Sequence, residues 1–85
     1  MLYRLYVDGR MATRGTLQEV QAAVAGYATA LLAAHPVTFA ADAMALNMAF
    51  AGGGVQEAIE VFGDWGVTVG EDTGRPVRLQ VTKEE

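Results

Sequence analysis

Glu57, Glu60 and Asp64 stand at i, i+3 and i+7 in this 85-residue chain. On a continuous helix that spacing lays the three carboxylates along one face. Grouped carboxylates can exchange protons in acid–base catalysis or hold Ca²⁺ or Mg²⁺ through oxygen ligands. Both chemistries need further groups converging from elsewhere, and the sequence names none, so a solvated helix face is the first expectation. One tension remains. Glu60 and Asp64 are like charges four residues apart with no Lys or Arg nearby in sequence, a mildly destabilising arrangement. Basic groups on a partner would remove it. Asp42, Glu71 and Asp72 extend the same acidic character, and together these residues are the expected partner-docking face.

Gly52, Gly53 and Gly54 form a second candidate. After a strand and before a helix, such a run can offer backbone N–H groups to a phosphate or carboxylate. After a helix it is a cap and a turn. No Lys, Arg or Walker-type spacing accompanies it, and Glu57 sits near the same helix start, so the turn is favoured. His35, between Ala34 and Pro36, suits a helix end, where the dipole favours a protonated imidazole. No partner base or nucleophile can be named for it.

What the chain lacks narrows its chemistry further. It contains no Cys, no Ser, one His and one Lys. Disulfides, thiolate metal sites and a Cys nucleophile are excluded, as are a Ser–His–Asp triad and a multi-histidine metal site within one chain. No catalytic residue, metal or cofactor is expected. An apolar fraction of 52% argues for a folded chain, and a net charge of −4 argues against direct nucleic-acid binding.

The charge is unevenly spread. Residues 1–40 are nearly balanced, whereas residues 41–85 carry three basic and eight acidic side chains. From Gly15 to Gly74 there is no Lys or Arg at all, while seven carboxylates lie in that span. The uncharged run Ala22–Ala34 follows Arg10 and Arg14 and faintly resembles a signal-peptide core. Gln18, Glu19 and Gln21 interrupt its approach, and it is shorter than the ~20 apolar residues of a bilayer span. No membrane association is expected, and the cytoplasm is the default location.

These side chains must be positioned by a small set of elements. Leu2–Val7 alternates as a strand, and Asp8-Gly9 is a strong hairpin turn, with Arg10–Arg14 as the return strand or an irregular loop. Thr16-Leu17-Gln18-Glu19 has capping-box spacing and opens a helix to Ala34, with Leu17, Val20, Val24, Tyr27 and Leu31 on one face. Its other face carries Ala22, Ala25, Thr29 and Ala33, with Gly26, Ala30 and Ala34 as a strip of small residues. Pro36 stops it.

Residues 37–51 are ambiguous. Ala and Met favour a helix, with Thr38 as its cap, but Met44, Leu46, Met48 and Phe50 alternate with the strand period. A hairpin here would give a split-βαβ, ferredoxin-like plan. Propensity and the poor turn at Ala41-Asp42-Ala43 favour helix. Val55–Trp65 is amphipathic, with Val55, Ala58, Ile59 and Phe62 inward and Gly66 as its stop. Trp65 and Tyr27 are likewise expected in the core. Val67–Val69 and Val77–Val81 read as a closing hairpin around Asp72-Thr73-Gly74-Arg75. Arg4 and Tyr6, with Arg78, Gln80 and Thr82, would share a polar sheet face. Such a face can stack bases, but one Tyr and two Arg on an acidic chain make an ordinary solvated surface the better expectation.

The expected fold is therefore α+β, one domain over 1–85. A small antiparallel sheet of N- and C-terminal strands packs against two or three helices. Its uncharged first helix and Ala-rich middle leave more apolar surface than so small a domain hides, which predicts a homodimer or a tight hetero-complex. The expected function is non-enzymatic. An inhibitor or adaptor would dock its acidic helical face on a basic, nucleic-acid-binding protein. Small phage inhibitors of host defence, anti-CRISPR proteins among them, and antitoxins have this profile. The alternative is a ferredoxin-like small-ligand sensor using Gly52–Gly54 as an anion site.

Overall fold

Asp8 and Gly9 both take positive φ, 51° and 83°, in a computed structural model that describes residues 1–84. That is the backbone a two-residue hairpin turn demands. It joins β1 (Leu2–Val7) to β2 (Arg10–Gly15), so the return strand is present in full. Asp8 also ties the turn to the distant chain. Its N–H donates to the Arg78 carbonyl at 2.8 Å, and its Oδ1 accepts the Arg78 N–H at 2.9 Å.

The remaining elements are α1 (Leu17–Ala34), α2 (Ala40–Ala51), α3 (Gly54–Phe62), β3 (Asp64–Val69) and β4 (Val77–Glu84). The strands form one antiparallel sheet in the order β2-β1-β4-β3, with a bulge in the β1–β2 register at Leu5/Tyr6. This is the α+β architecture expected, with both terminal segments in the sheet and three helices packed on it. α1 packs on β1 and β2, α3 packs on β3 and β4, and α2 lies against both other helices.

Residues 40–51 are helical, so the split-βαβ plan is absent. Alternation of Met and Ala at this segment mimicked a strand because Ala is compatible with either face. α1 starts as its capping box requires: Thr16 Oγ1 accepts the Glu19 N–H, and Glu19 Oε1 accepts the Thr16 N–H, each at 3.2 Å. Thr38 does not cap α2. Phe39 occupies the cap position, makes no side-chain cap bond, and is fully buried instead. Phe39 thereby anchors α2 to a core built from Leu5, Leu79 and Val81 of the sheet, Val20 and Val24 of α1, Leu46 of α2, and Val55 and Ile59 of α3.

α3 stops earlier than its pattern suggests. Gly63 adopts φ 85°, and its N–H donates to the Ile59 carbonyl at 2.9 Å, a left-handed cap that ends the helix. The chain then enters β3 directly, so Asp64, Trp65 and Gly66 are strand residues. Phe62 is not in the core: it falls beyond the packed turns of α3 and is 79% exposed. Trp65 and Tyr27 are half-buried, packed on the core's margin, and Trp65 meets Phe50 of α2 edge-to-face at 5.5 Å between ring centroids. Among the described residues, no helix is long and apolar enough to cross a membrane.

Candidate interaction surface

α2 has an unusual composition for an outer helix. Apart from Asp42 and Asn47 every residue in it is apolar. Ala43 and Leu46 face the core, while Ala41, Met44, Ala45 and Met48, spaced by three and four residues, form an exposed stripe. Met44 and Met48 are 64% and 67% exposed. α3 and the α1–α2 turn add exposed Val61, Phe62 and Val37. A helix that is apolar on all sides is ordinarily covered on all sides. This one is covered on the α1 and α3 sides and open outward.

The acidic residues fall in two places. Glu57 and Glu60 are exposed on α3 beside Val61, as their spacing implies. Asp42 is half-buried in the first turn of α2, and its Oδ2 accepts the Gly70 N–H at 2.9 Å. That bond fastens the start of α2 to the β3–β4 connection, where Glu71 and Asp72 follow in an exposed 3-10 turn, Glu71–Thr73. Asp42, Glu71 and Asp72 thus gather near one end of α2. Asp64 does not join Glu57 and Glu60. It lies in β3 on the sheet face turned away from the helices, where it accepts a hydrogen bond from Gln80 Nε2 at 2.8 Å. The expected three-carboxylate helix face is reduced to a pair, because Gly63 ends the helix before Asp64. All three helices lack Lys and Arg.

Gly52, Gly53 and Gly54 connect α2 to α3. The Gly52 and Gly53 N–H groups donate to the Met48 and Phe50 carbonyls, at 2.8 and 3.3 Å. Those donors are used in closing α2 and are not free for an anion. The strand–glycine–helix premise of the anion site is absent, and the run acts as a helix-to-helix turn. His35 ends α1, its backbone N–H donating to the Leu31 carbonyl.

The open sheet face gathers Arg4, Tyr6, Arg14, Arg78, Gln80, Thr82 and Glu84, because residues two apart in a strand share a face and β4 lies between β1 and β3. Glu84 receives a fork from Arg14: Nε donates to Oε2, and Nη2 donates to Oε1 at 2.8 Å. Arg4 Nη2 adds an ion pair at 3.4 Å. The Arg14 hydrogen bonds, aided by Arg4, hold the Glu84 carboxyl down at about 2, well below its ordinary range. Sequence spacing could not reveal this network, since its members are 70 residues apart. Along its β1–β2–β4 side Arg4 and Arg14 share the single Glu84 carboxylate. Arg78 alone of its three arginines has no ion pair among the described residues.

Among the described residues no three His, Asp or Glu side chains converge as a metal site. No protein-family model matches the chain, and no curated protein or solved structure shows significant similarity to it. Its fold class and its surfaces are therefore what bear on function.

Proposed function

We propose that the protein is a cytoplasmic, non-enzymatic protein-binding module that uses its helical layer to dock on a basic partner and act as an inhibitor or adaptor. The observation that carries this reading is the open face of α2. Its single charge, Asp42, is committed to Gly70, and Met44 and Met48 project from a stripe that nothing among the described residues covers. Met fits a docking surface well, because its unbranched, polarisable side chain adapts to varied partners. Phe62 and Val61 extend the apolar contact. Glu57 and Glu60 on α3, and Glu71 and Asp72 near the start of α2, supply the anionic rim, with Arg75 the one basic residue in the β3–β4 connection. An apolar centre with an anionic rim fits a groove edged by Lys and Arg, such as the nucleic-acid-binding surface of a regulator or nuclease. Occupying that surface would exclude its nucleic acid, which is the action of anti-defence inhibitors and antitoxins.

The reading is tested by affinity capture in low and raised salt, comparing the native chain with two folded variants. Met44→Glu with Met48→Glu removes the centre, and Glu57→Lys with Glu60→Lys inverts the rim. A specific basic partner, retained by the native chain, weakened by salt and lost with both variants, supports the proposal. Capture indifferent to both pairs of substitutions refutes it.

A further inference from the structure

The two edges of the sheet are built differently. β2 carries the standard protections of an edge strand: a bulge in its register and charged Arg10 and Arg14. β3, at the other edge, has the sequence Asp-Trp-Gly-Val-Thr-Val, with no bulge in its pairing, no Pro and no Lys. Among the described residues, no group outside β4 hydrogen-bonds to the β3 backbone.

The orientation of its free groups can be derived. Arg78 N–H and C=O both bond to Asp8, on the β1 side of β4. Along a strand these groups alternate sides, so Leu79 and Val81 turn theirs to β3, where they are paired with Val67 and Trp65. The N–H and C=O groups of Asp64, Gly66 and Thr68 therefore point out of the sheet. The side chains of Asp64 and Thr68 lie on its open face, on either side of Gly66.

We infer that β3 pairs antiparallel with β3 of a second copy of this chain, extending the sheet across a two-fold axis at Gly66. In that register Gly66 faces Gly66 of the second copy, Asp64 faces Thr68, and Trp65 faces Val67. All six outward-pointing residues then have their backbone partners. Half-buried Trp65 and Val67 meet on the helical side as an aromatic–β-branched cross-strand pair, a favourable combination. On the open face, Arg78, Thr68 and Asp64 of the second copy fall in one row. Arg78 and that Asp64 are two strand spacings apart, about 10 Å at the backbone, a gap their side chains can close. The Arg78 guanidinium already leans over β3: a Cβ on Gly66 would lie 2.8 Å from its Nη2. Arg78, which has no ion pair among the described residues, thus meets a carboxylate twice across the axis. An extended peptide from another protein is a poorer occupant. Strand addition draws affinity from main-chain hydrogen bonds and specificity from side-chain matching, and a second copy brings its own Asp64 into the row of Arg78. This dimer is independent of the helical docking surface and lies on a different part of the molecule.

Light scattering after gel filtration at high micromolar concentration tests it. The native chain should have the mass of two chains. Arg78→Glu, folded by circular dichroism, should have the mass of one, and adding Asp64→Arg to it should restore the mass of two. Hydrogen exchange of the native chain should show the Asp64, Gly66 and Thr68 amides gaining protection as concentration rises, a readout that stands even if a variant fails to fold. A monomeric native chain, a dimer that survives Arg78→Glu but is lost with Met44→Glu, or concentration-independent exchange at these amides would overturn the inference.

Discussion

Asp42 and Gly70, 28 residues apart, are joined by a 2.9 Å hydrogen bond from the Gly70 N–H to Asp42 Oδ2. Gly70 is buried, so its N–H has no ready water to replace the carboxylate. Asp42 also sits in the first turn of α2, where a negative charge is favoured by the helix dipole. Asp42→Ala should therefore cost about 1–3 kcal/mol, the penalty of a buried donor left without a partner. Asp42→Asn, which keeps an acceptor oxygen, should recover most of it. Urea unfolding of the three proteins checks the order. Equal stability of the Ala and Asn variants would show that the bond contributes nothing.

Gly63 sets where α3 ends, and with it which face Asp64 occupies. Its φ of 85° is left-handed, and a Cβ there would meet nothing within 4 Å. Gly63→Ala therefore isolates the backbone cost, about 1–2 kcal/mol for an L-residue in that conformation. A correspondingly lowered melting temperature, with an unchanged helical circular dichroism band, is the expected result. No loss of stability would mean that α3 can end elsewhere.

The same glycine marks the limit of what the sequence discloses. The hairpin at Asp8-Gly9, the capping box at Thr16 and Glu19, and the core faces of α1 and α3 are local patterns, and they are legible because the forces behind them act within a few residues. Gly63 and Gly66 are both plausible helix stops, and packing decides between them: Trp65 lies in β3 opposite Val81 and edge-to-face with Phe50. Phe39 could not be singled out as the anchor of α2, because its burial depends on how α2 leans on its neighbours. Of the candidate surface, Glu57 and Glu60 could be read from spacing. The Met44–Met48 stripe was visible as residues but not as a surface, because an apolar segment does not announce which side the rest of the chain will leave bare.

Glu84 couples the last strand to pH. Its folded value, about 2, lies below its ordinary value of 4.5. A depressed carboxyl contributes stability that is fully present above the unfolded value and is lost as pH falls through the folded one. The contribution of Glu84 should thus be intact at pH 6, decline below about 4.5 and vanish near 2. Because Arg14 and Glu84 lie at the solvent-facing sheet surface, salt should reduce it. Glu84→Gln should be less stable than the native chain at pH 6, with the gap closing as pH falls through this window. A gap that is constant with pH would mean that the Arg14 fork does not form in solution.

Phe39 and Phe62 make opposite predictions from the same residue type. Phe39 is fully buried at the junction of α1 and α2, so Phe39→Ala removes a large part of the core and should cost about 3–5 kcal/mol. Against a total stability of roughly 5–15 kcal/mol for a domain, that places the variant near unfolding. Phe62 is 79% exposed, and its replacement by Gln should change stability by no more than about 0.5 kcal/mol. In the proposed docking, this ring adds to the apolar contact with the partner. Phe62→Gln should therefore leave the thermal transition in place while weakening capture of the basic partner. If Phe62→Gln instead destabilised the chain as strongly as Phe39→Ala, the ring would be a core residue in solution, and α3 would contribute only its carboxylates to the docking surface.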